Sequence, residues 1–182
     1  MVLGTQSVSA RRLSKTLCLL ALILYAGSAT AETSIDKKAS GLPIPRFVSL
    51  KSDKVNVRGG PTKDHDVSWI YTRSGLPVEI TAEFENWRRI RDWEGAEGWV
   101  YHSMLSGRRT AIVSANAKAK DTLLPLYDQA DPQTPVVAKL QAGVLSQVKK
   151  CTGNWCRVTG SGFDGWVQQE RLWGVYPNEK VE

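Results

Sequence analysis

The sequence that decides the fold is Asn86-Trp87-Arg88-Arg89-Ile90 followed by Gly98-Trp99-Val100, because both stretches return in the second half of the chain. Asn154-Trp155-Cys156-Arg157-Val158 repeats the first stretch and Gly165-Trp166-Val167 repeats the second, in the same order and with nearly equal gaps. A glycine before and a leucine after frame each pair: Gly75 and Leu105 in the first half, Gly143 and Leu172 in the second. Ordered self-similarity of this kind predicts that one small structural unit is duplicated within the chain.

Each unit is predicted to consist of about five short β-strands. Apolar side chains at positions 78, 80, 82 and 84 alternate with their neighbours, which is the period of a strand buried on one side. Glu85-Asn86 is predicted to form a turn, after which residues 87–91 return as the hairpin partner. Further strands are predicted at 55–58, 67–71 and 99–101, and in the second unit at 123–127, 136–140, 144–148, 156–158 and 166–167. This pattern favours an all-β fold of two tandem small β-barrels, whose limited cores the 7 tryptophans would help to fill.

The N-terminal segment has the three parts of a secretory signal peptide. Arg11, Arg12 and Lys15 precede an apolar stretch at 17–26, and Ala29-Thr30-Ala31 supplies the small residues of a cleavage site. We therefore expect residues 1–31 to be a Sec-type signal peptide that is cleaved before Glu32. The alternative is an uncleaved anchor, although the apolar stretch is shorter than the roughly 20 residues that span a bilayer.

The remaining organisation follows from composition. Residues 32–45, with two lysines, a glycine and two prolines, are predicted to be a flexible linker. The first barrel is predicted at 46–107, the second at 108–176 and a C-terminal tail at 177–182. The formal net charge of +6 falls to +3 when the three leader cations are removed, and this small excess gives no reason to expect nucleic-acid binding.

Two cysteines, Cys151 and Cys156, remain after the leader, and an even count in an exported chain predicts a disulfide. The four residues between them are rich in turn formers, so the cysteines would face each other across a hairpin with Cα atoms about 4.5–5.5 Å apart. A free or redox-active pair and a metal site are the alternatives, but the spacing is not C-x-x-C and no second pair exists in the sequence. Glu83 and Arg88 occupy the matching positions of the first unit, where an ion pair is expected.

The opening of the first unit, Val55-Asn56-Val57-Arg58-Gly59-Gly60-Pro61, together with the paired NW and GWV motifs, resembles the periplasmic type of bacterial SH3-like (SH3b) domain. The second unit keeps the later motifs but has Leu124-Pro125-Leu126-Tyr127-Asp128 at its opening. The resemblance implies two SH3-like barrels and a role in cell-wall or peptide binding and targeting, often beside a hydrolase domain. Any function of the Asn-Val-Arg segment is therefore expected in the first barrel and not in the second.

The sequence offers no constellation that predicts catalysis. His65 and His102 belong to no metal-ligand spacing, and no G-x-S-x-G motif or phosphate-binding glycine loop occurs. Asp92 and Glu94 are more typical of a solvated turn than of a hydrolase centre. We predict no catalytic residue, no metal ligand and no cofactor.

The candidate ligand-binding residues combine one arginine with aromatic side chains: Arg58, Trp69, Tyr71, Trp87, Trp99 and Tyr101. Trp87 and Ile90 are three apart and would face opposite sides of a regular strand. Either a bulge brings both into the core, or one of them reaches the outer surface, where a tryptophan could bind a peptide or glycan. The alternatives are that these aromatics only complete the core and that Arg58 is a solvated or loop-bracing residue.

These observations predict an exported, periplasmic, non-catalytic binding or scaffolding protein of the bacterial envelope. The expected ligand is peptidoglycan, through its stem peptides, with contact to the membrane only through the signal peptide before cleavage. The alternative is an adaptor that binds an envelope protein peptide and modulates an enzyme or secretion machine. A small hydrolase is the third and least favoured reading.

Overall fold

The computed structural model describes residues 40–114 and 123–182. The predicted signal peptide, its predicted cleavage site and residues 32–39 of the predicted linker lie outside these ranges. Within the described ranges, no helix has the length and apolar character needed to cross a bilayer.

The first repeat forms one antiparallel sheet of seven strands. They are β1 (Arg46–Leu50), β2 (Val55–Arg58), β3 (Val67–Tyr71), β4 (Pro77–Phe84), β5 (Trp87–Arg91), β6 (Glu97–Tyr101) and β7 (Leu105–Ser106), with a single 3-10 turn at His102–Met104 before β7. Their order in the sheet is β3-β2-β6-β5-β4-β1-β7. We call residues 46–106 the first barrel.

The second repeat has the same connectivity. Its strands are β8 (Thr110–Val113), β9 (Leu124–Tyr127), β10 (Val136–Leu140), β11 (Leu145–Thr152), β12 (Trp155–Gly160), β13 (Phe163–Gln168), β14 (Leu172–Trp173) and β15 (Lys180–Val181), with a 3-10 turn at Gln169–Arg171. The order β10-β9-β13-β12-β11-β8-β14 matches the first sheet strand for strand, and β15 adds to β11. We call residues 110–181 the second barrel. The predicted duplication and the all-β fold class are confirmed.

Each barrel encloses its own apolar core. The first core includes Val55, Val57, Val78, Ile80, Ile90 and Val100, each no more than 2 % exposed. The second includes Leu126, Cys156, Val158 and Val167, each no more than 1 % exposed. The core members on β2, on β4 and on β9 alternate along the strand, as a sheet with one buried face requires.

The first position of each GWV motif has no room for a side chain, which explains its glycine. A Cβ on Gly98 would lie 2.4 Å from Cγ1 of Val57, and one on Gly165 would lie 3.0 Å from the carbonyl oxygen of Tyr127. The motif therefore marks the point where β2 crosses closely over β6 and β9 over β13, which is where each sheet curves around its core.

The two barrels share a packed junction. The hydroxyl of Ser49 donates to the carbonyl of Arg108 at 2.6 Å, and the hydroxyl of Thr110 donates to the carbonyl of Gly75 at 2.7 Å. The Phe47 ring packs edge-on against that of Trp173, with centroids 5.1 Å apart. The second sheet also contributes apolar side chains to the first core, namely Ile112 and Leu145.

Both ends of the described chain are bound to the barrels. Ser40, within the predicted linker, donates to Glu83 through its backbone N–H at 2.8 Å and through its hydroxyl at 2.7 Å. At the other end, β15 lies within the predicted tail and pairs with β11, while Glu179 bonds to Arg109 at 2.6 Å. Residues 40–45 and 177–182 are therefore structural parts of the molecule.

The β11–β12 hairpin carries the predicted disulfide, which is confirmed. Cys151 and Cys156 are directly opposed and bonded, with Cα atoms 4.1 Å apart, slightly closer than expected. The loop is the two residues Gly153-Asn154, since Thr152 and Trp155 still belong to the strands. At the matching place in the first barrel, Glu83 faces Arg88 and accepts from its Nε at 3.2 Å, so the expected ion pair is present.

Candidate functional site

A groove lies on the outer face of the first barrel and has a volume of about 330 Å³. Side chains from β2, β5 and β6 and from the neighbouring loops line it: Lys54, Asn56, Arg58, Lys63, Trp87, Tyr101 and Met104. Three of the sequence-predicted ligand residues, Arg58, Trp87 and Tyr101, are thus brought together.

Strand alternation places these side chains on one face. On β2, Val55 and Val57 are fully buried in the core, so Asn56 and Arg58 face away from it. On β5, Ile90 is in the core and Trp87 is not part of the core cluster. The strand pairs with β6 without a register shift, and this regular alternation sends Trp87 to the opposite face.

Trp87 and Tyr101 form the apolar floor of the groove. They are directly opposed across β5 and β6, and their rings pack edge to face with centroids 5.4 Å apart. The contact leaves Trp87 only 8 % exposed. Only a small part of Trp87 therefore faces the groove, while most of its surface packs against the protein.

The β2–β3 loop fixes the position of the Arg58 side chain. Its Nη1 donates to the carbonyl oxygen of His65 at 2.6 Å. His65 is in turn fixed by its Nδ1, which lies 2.8 Å from the hydroxyl of Thr62. The β2–β3 loop thus orients the guanidinium but leaves its other nitrogens available for a ligand.

The groove is electropositive. Lys54, Arg58 and Lys63 supply three cations, and no carboxylate is among the described residues that line it. Arginine presents parallel N–H donors that match a carboxylate, while the lysines act as mobile point charges. An apolar floor with a cationic rim is suited to a ligand that carries both alkyl groups and carboxylates.

The other three predicted residues lie outside the groove. Tyr71 is buried and donates its hydroxyl to Asp92 Oδ2 at 2.8 Å, and desolvation together with this bond raises the pKa of the phenol. Trp69 packs against the first core and against Tyr71, with ring centroids 6.2 Å apart. Trp99 is half-buried beside Arg58 and Arg89 in the sheet register.

Asp92 is a buried residue that stabilises the β5–β6 turn. It is only 4 % exposed, and its Oδ1 accepts the backbone N–H groups of Glu94 and Ala96 at 3.0 and 2.9 Å. These bonds order the β5–β6 turn, so the predicted turn is present but its carboxylate is buried and not solvated.

Four groove residues were missed by the sequence reasoning: Lys54, Asn56, Lys63 and Met104. Asn56 could have been found, because it lies two residues before Arg58 and shares its face of the strand. Lys63 and Met104 reach the groove from a loop and from the 3-10 turn, and no periodic signal marks such positions.

Among the described residues of the second barrel, the positions that match the groove carry different side chains. In the sheet register Tyr127 takes the place of Arg58, and Trp155 and Gln168 take those of Trp87 and Tyr101. The ring of Tyr127 packs edge-on against Trp155 with centroids 5.6 Å apart. An aromatic side chain thus replaces the cation that lines the first groove.

Cys151, Cys156 and His102 are engaged in structural contacts. Cys151 and Cys156 are joined to each other, and the ring of His102 packs against Tyr101 with centroids 5.0 Å apart. Within the described ranges, no group of three or more His, Cys, Asp or Glu side chains could hold a metal ion.

One family model matches both repeats of the chain. Residues 51–107 and 120–174 each match the family model described as the bacterial SH3 domain. No curated protein matches the chain. Among solved structures, NlpC2 from Trichomonas vaginalis is 12 % identical with a TM-score of 0.31 and covers 71 % of this chain and 48 % of its own. NlpC1 from the same organism is 13 % identical with a TM-score of 0.30 and covers 74 % and 48 %. This chain spans about half the length of those two proteins, and TM-scores near 0.3 are too low to indicate a shared function.

Proposed function

This chain belongs to the bacterial SH3 domain family, and we propose that it is a non-catalytic binding module of the bacterial envelope whose groove binds peptidoglycan stem peptides. The observation that carries the proposal is the composition of the groove, where three cations surround a floor of Trp87, Tyr101 and Met104. Family membership supports binding in general, and the groove chemistry supports this class of ligand.

Stem peptides combine carboxylates with short alkyl side chains. The fixed guanidinium of Arg58 would pair with a carboxylate, and Lys54 or Lys63 would stabilise a second one. Alkyl groups would pack on the aromatic floor, and the amide of Asn56 could bond to a ligand peptide group. The cations of the groove would thus bind the ligand's carboxylates, and the aromatic side chains would contact its alkyl groups.

The groove also explains why the first barrel would dominate binding. Replacement of Arg58 by Tyr127 in the second barrel removes the carboxylate clamp, and the tyrosine ring packs against Trp155. We therefore propose that the second barrel contributes little to stem-peptide affinity.

Export to the periplasm is part of the proposal. The tripartite leader in the sequence supports it, and so does the disulfide, since such bonds persist in oxidising compartments. The intact mass of protein from the periplasm should begin at Glu32, and a mass that retains Met1 would contradict cleavage.

A second candidate function, a protein-binding adaptor, is favoured by the edge strands. Val67 and Ile70 on β3 and Val136 and Val137 on β10 are between 39 % and 48 % exposed. A strand with free backbone groups and exposed apolar side chains can add a strand from a partner protein.

A calorimetric titration with a soluble stem peptide tests the groove. The free-acid peptide should bind, and the same peptide with its carboxylates amidated should bind at least tenfold more weakly, because the charge-assisted bonds are lost. Affinity should also fall as the salt concentration rises. Equal affinity for the two peptides, or no binding of the free acid, would contradict the proposal and leave the adaptor function favoured.

A further inference from the structure

The loop between β2 and β3, residues 59–66, is packed around the side chain of His65. A Cβ on Gly60 would lie between 2.2 and 2.5 Å from three atoms of the imidazole ring, so the ring packs directly on the Gly60 backbone. The Nδ1 atom of the ring lies 2.8 Å from the hydroxyl of Thr62, which also accepts the backbone N–H of Asp64 at 3.3 Å. The glycine at position 60 and the hydroxyl at position 62 thus fix the ring within the loop.

The backbone of His65 holds the Arg58 side chain. The carbonyl oxygen of His65 accepts from Arg58 Nη1 at 2.6 Å. The N–H of Gly59 donates to the carbonyl of Asp66 at 3.2 Å and closes the loop at its base. His65 is therefore joined to the loop by its ring and to Arg58 by its carbonyl, so a change in the position of the ring alters the position of the guanidinium.

The bond to His65 determines which edge of the Arg58 guanidinium can meet a carboxylate. Nη1 is engaged, whereas Nε and Nη2 make no hydrogen bond to a residue that the structure describes. These two nitrogens form one edge of the planar group, and their parallel N–H donors match the two oxygens of a carboxylate. Arg157 shows this geometry in the same protein, where Nε and Nη2 donate to the two oxygens of Asp164 at 2.8 and 3.0 Å. The free edge of Arg58 is suited to the same bidentate contact.

We propose that His65 is a positioning residue for ligand binding, which packs on Gly60 and holds Arg58 so that the Nε–Nη2 edge meets a ligand carboxylate in the groove. The inference rests on the proposed function, because it assigns the way in which the groove binds a stem-peptide carboxylate. A side chain that is already ordered loses less conformational entropy when the ligand binds, so this restraint raises the affinity without a contact between His65 and the ligand.

A double-mutant cycle tests whether His65 acts through Arg58. His65→Ala removes the ring and its contact with Thr62 but keeps the backbone carbonyl. In calorimetric titrations with the free-acid stem peptide, this variant should bind about threefold to tenfold more weakly, which is the effect of ordering one long side chain on binding. In the Arg58→Gln background the same change should have no further effect on affinity, because the side chain that His65 positions is gone.

Gly60→Ala tests the packing of the ring on position 60. The three atoms nearest to the new methyl group belong to the exposed His65 side chain, which can move aside, so the melting temperature should stay close to that of wild type. Binding should weaken as much as in His65→Ala, and the two changes together should weaken it no more than either alone. Gly107→Ala, at an exposed glycine with no described atom within 4 Å of the new Cβ, is the matched control and should bind like wild type.

The nitrogen-15 NMR signal of Arg58 Nε, assigned by its loss in Arg58→Gln, gives a readout that needs no ligand. Its order parameter should fall in His65→Ala and in Gly60→Ala and stay unchanged in Gly107→Ala. An unchanged order parameter in the first two variants, or an equal loss of affinity from His65→Ala in the wild-type and Arg58→Gln backgrounds, would overturn the proposal. Wild type that binds no stem peptide would contradict the proposed function, a failure that the order parameters distinguish from a loss of positioning.

Discussion

Glu83, at the tip of the β4–β5 hairpin, joins that hairpin to β1 and to Ser40, which precedes the first barrel. Its carboxylate accepts from Ser40, from Arg46 and from Arg88, and its side chain is fully buried. Desolvation alone would raise the pKa of this carboxyl group. The hydrogen bonds from Ser40 and Arg46 outweigh it and lower the pKa from its ordinary 4.5 to about 2.

Glu83→Gln should destabilise the protein at neutral pH and much less in acid. Because the folded-state pKa is lower than the unfolded one, the stabilisation is present above about pH 4.5 and is lost as the pH falls through about 2. One pKa unit corresponds to about 1.4 kcal/mol, so the contribution to the free energy of unfolding is about 3 kcal/mol at most.

Urea unfolding at several pH values measures this effect. Glu97→Gln is the matched control, since the Arg89–Glu97 pair is partly exposed and should contribute less than about 1 kcal/mol. A Glu83→Gln variant as stable as wild type at pH 7, or a difference that does not shrink toward pH 2, would show that this carboxylate does not brace the hairpin.

The sequence predicts which side chains are suited to bind a ligand, but it does not show which of them the fold leaves accessible. Arg58, Trp87 and Tyr101 reach one groove because alternation along β2, β5 and β6 places them on one face. Tyr71 is equally aromatic, but its hydroxyl is bonded to Asp92, which lies 21 residues away. Only the folded chain brings that partner into contact, so sequence alone could not separate Tyr71 from the groove residues.

Among the elements, four strands were predicted with their observed bounds: β2, β3, β5 and β10. β2 and β3 are β-prone stretches, β5 follows from the predicted turn at Glu85-Asn86, and β10 is the counterpart of β3 in the second unit. The two-residue strands β7, β14 and β15 were not predicted, because two residues carry no periodicity. β1 was also missed, since Arg46–Leu50 contains a buried serine that only the junction with the second barrel explains.

The disulfide stabilises the β11–β12 hairpin by an amount of free energy that depends on the length of the loop it closes. The bridge closes a short loop, with a sequence separation of 5, and therefore removes little entropy from the unfolded chain. We expect the double replacement Cys151→Ala and Cys156→Ala to lower the free energy of unfolding by about 2 kcal/mol. The C-terminal strand β15, which pairs at Cys151, should become more mobile.

Thermal unfolding with and without a reductant, together with non-reducing peptide mapping, measures this. Reductant should lower the melting temperature of wild type and leave the double variant unchanged. Two freely alkylated thiols in periplasmic material, or a variant as stable as the oxidised protein, would contradict the assignment.

At the scale of the whole molecule, the junction makes the two barrels interdependent. Gly174 lies there with a φ of +119°, and a Cβ at this position would lie 2.3 Å from the carbonyl oxygen of Thr110 in the second barrel and 3.1 Å from the Cβ of Pro77 in the first. Arg109 also bonds to the Gly174 carbonyl at 3.0 Å, so the backbone on both sides is fixed.

Gly174→Ala should cost about 3 kcal/mol or more, because the new methyl group clashes with backbone that cannot easily move. Gly162→Ala is the control: its φ is also positive, at +80°, but no described atom lies within 4 Å of the new Cβ. The control should cost only about 1–2 kcal/mol from the backbone conformation. Equal losses for the two variants would show that the surroundings of Gly174 are not tightly packed. Calorimetry should show one transition for wild type, and two separate transitions would contradict interdependent barrels.

At the scale of the whole molecule, we propose that the protein binds the cell wall through the cationic groove of its first barrel. Co-sedimentation of the chain from Glu32 onward with protein-free sacculi tests that claim most directly. Wild type and Arg73→Gln, an exposed arginine outside the groove, should sediment equally, and Arg58→Gln should bind about tenfold more weakly. Sacculi that retain Arg58→Gln as well as wild type, or that retain neither, would contradict the account.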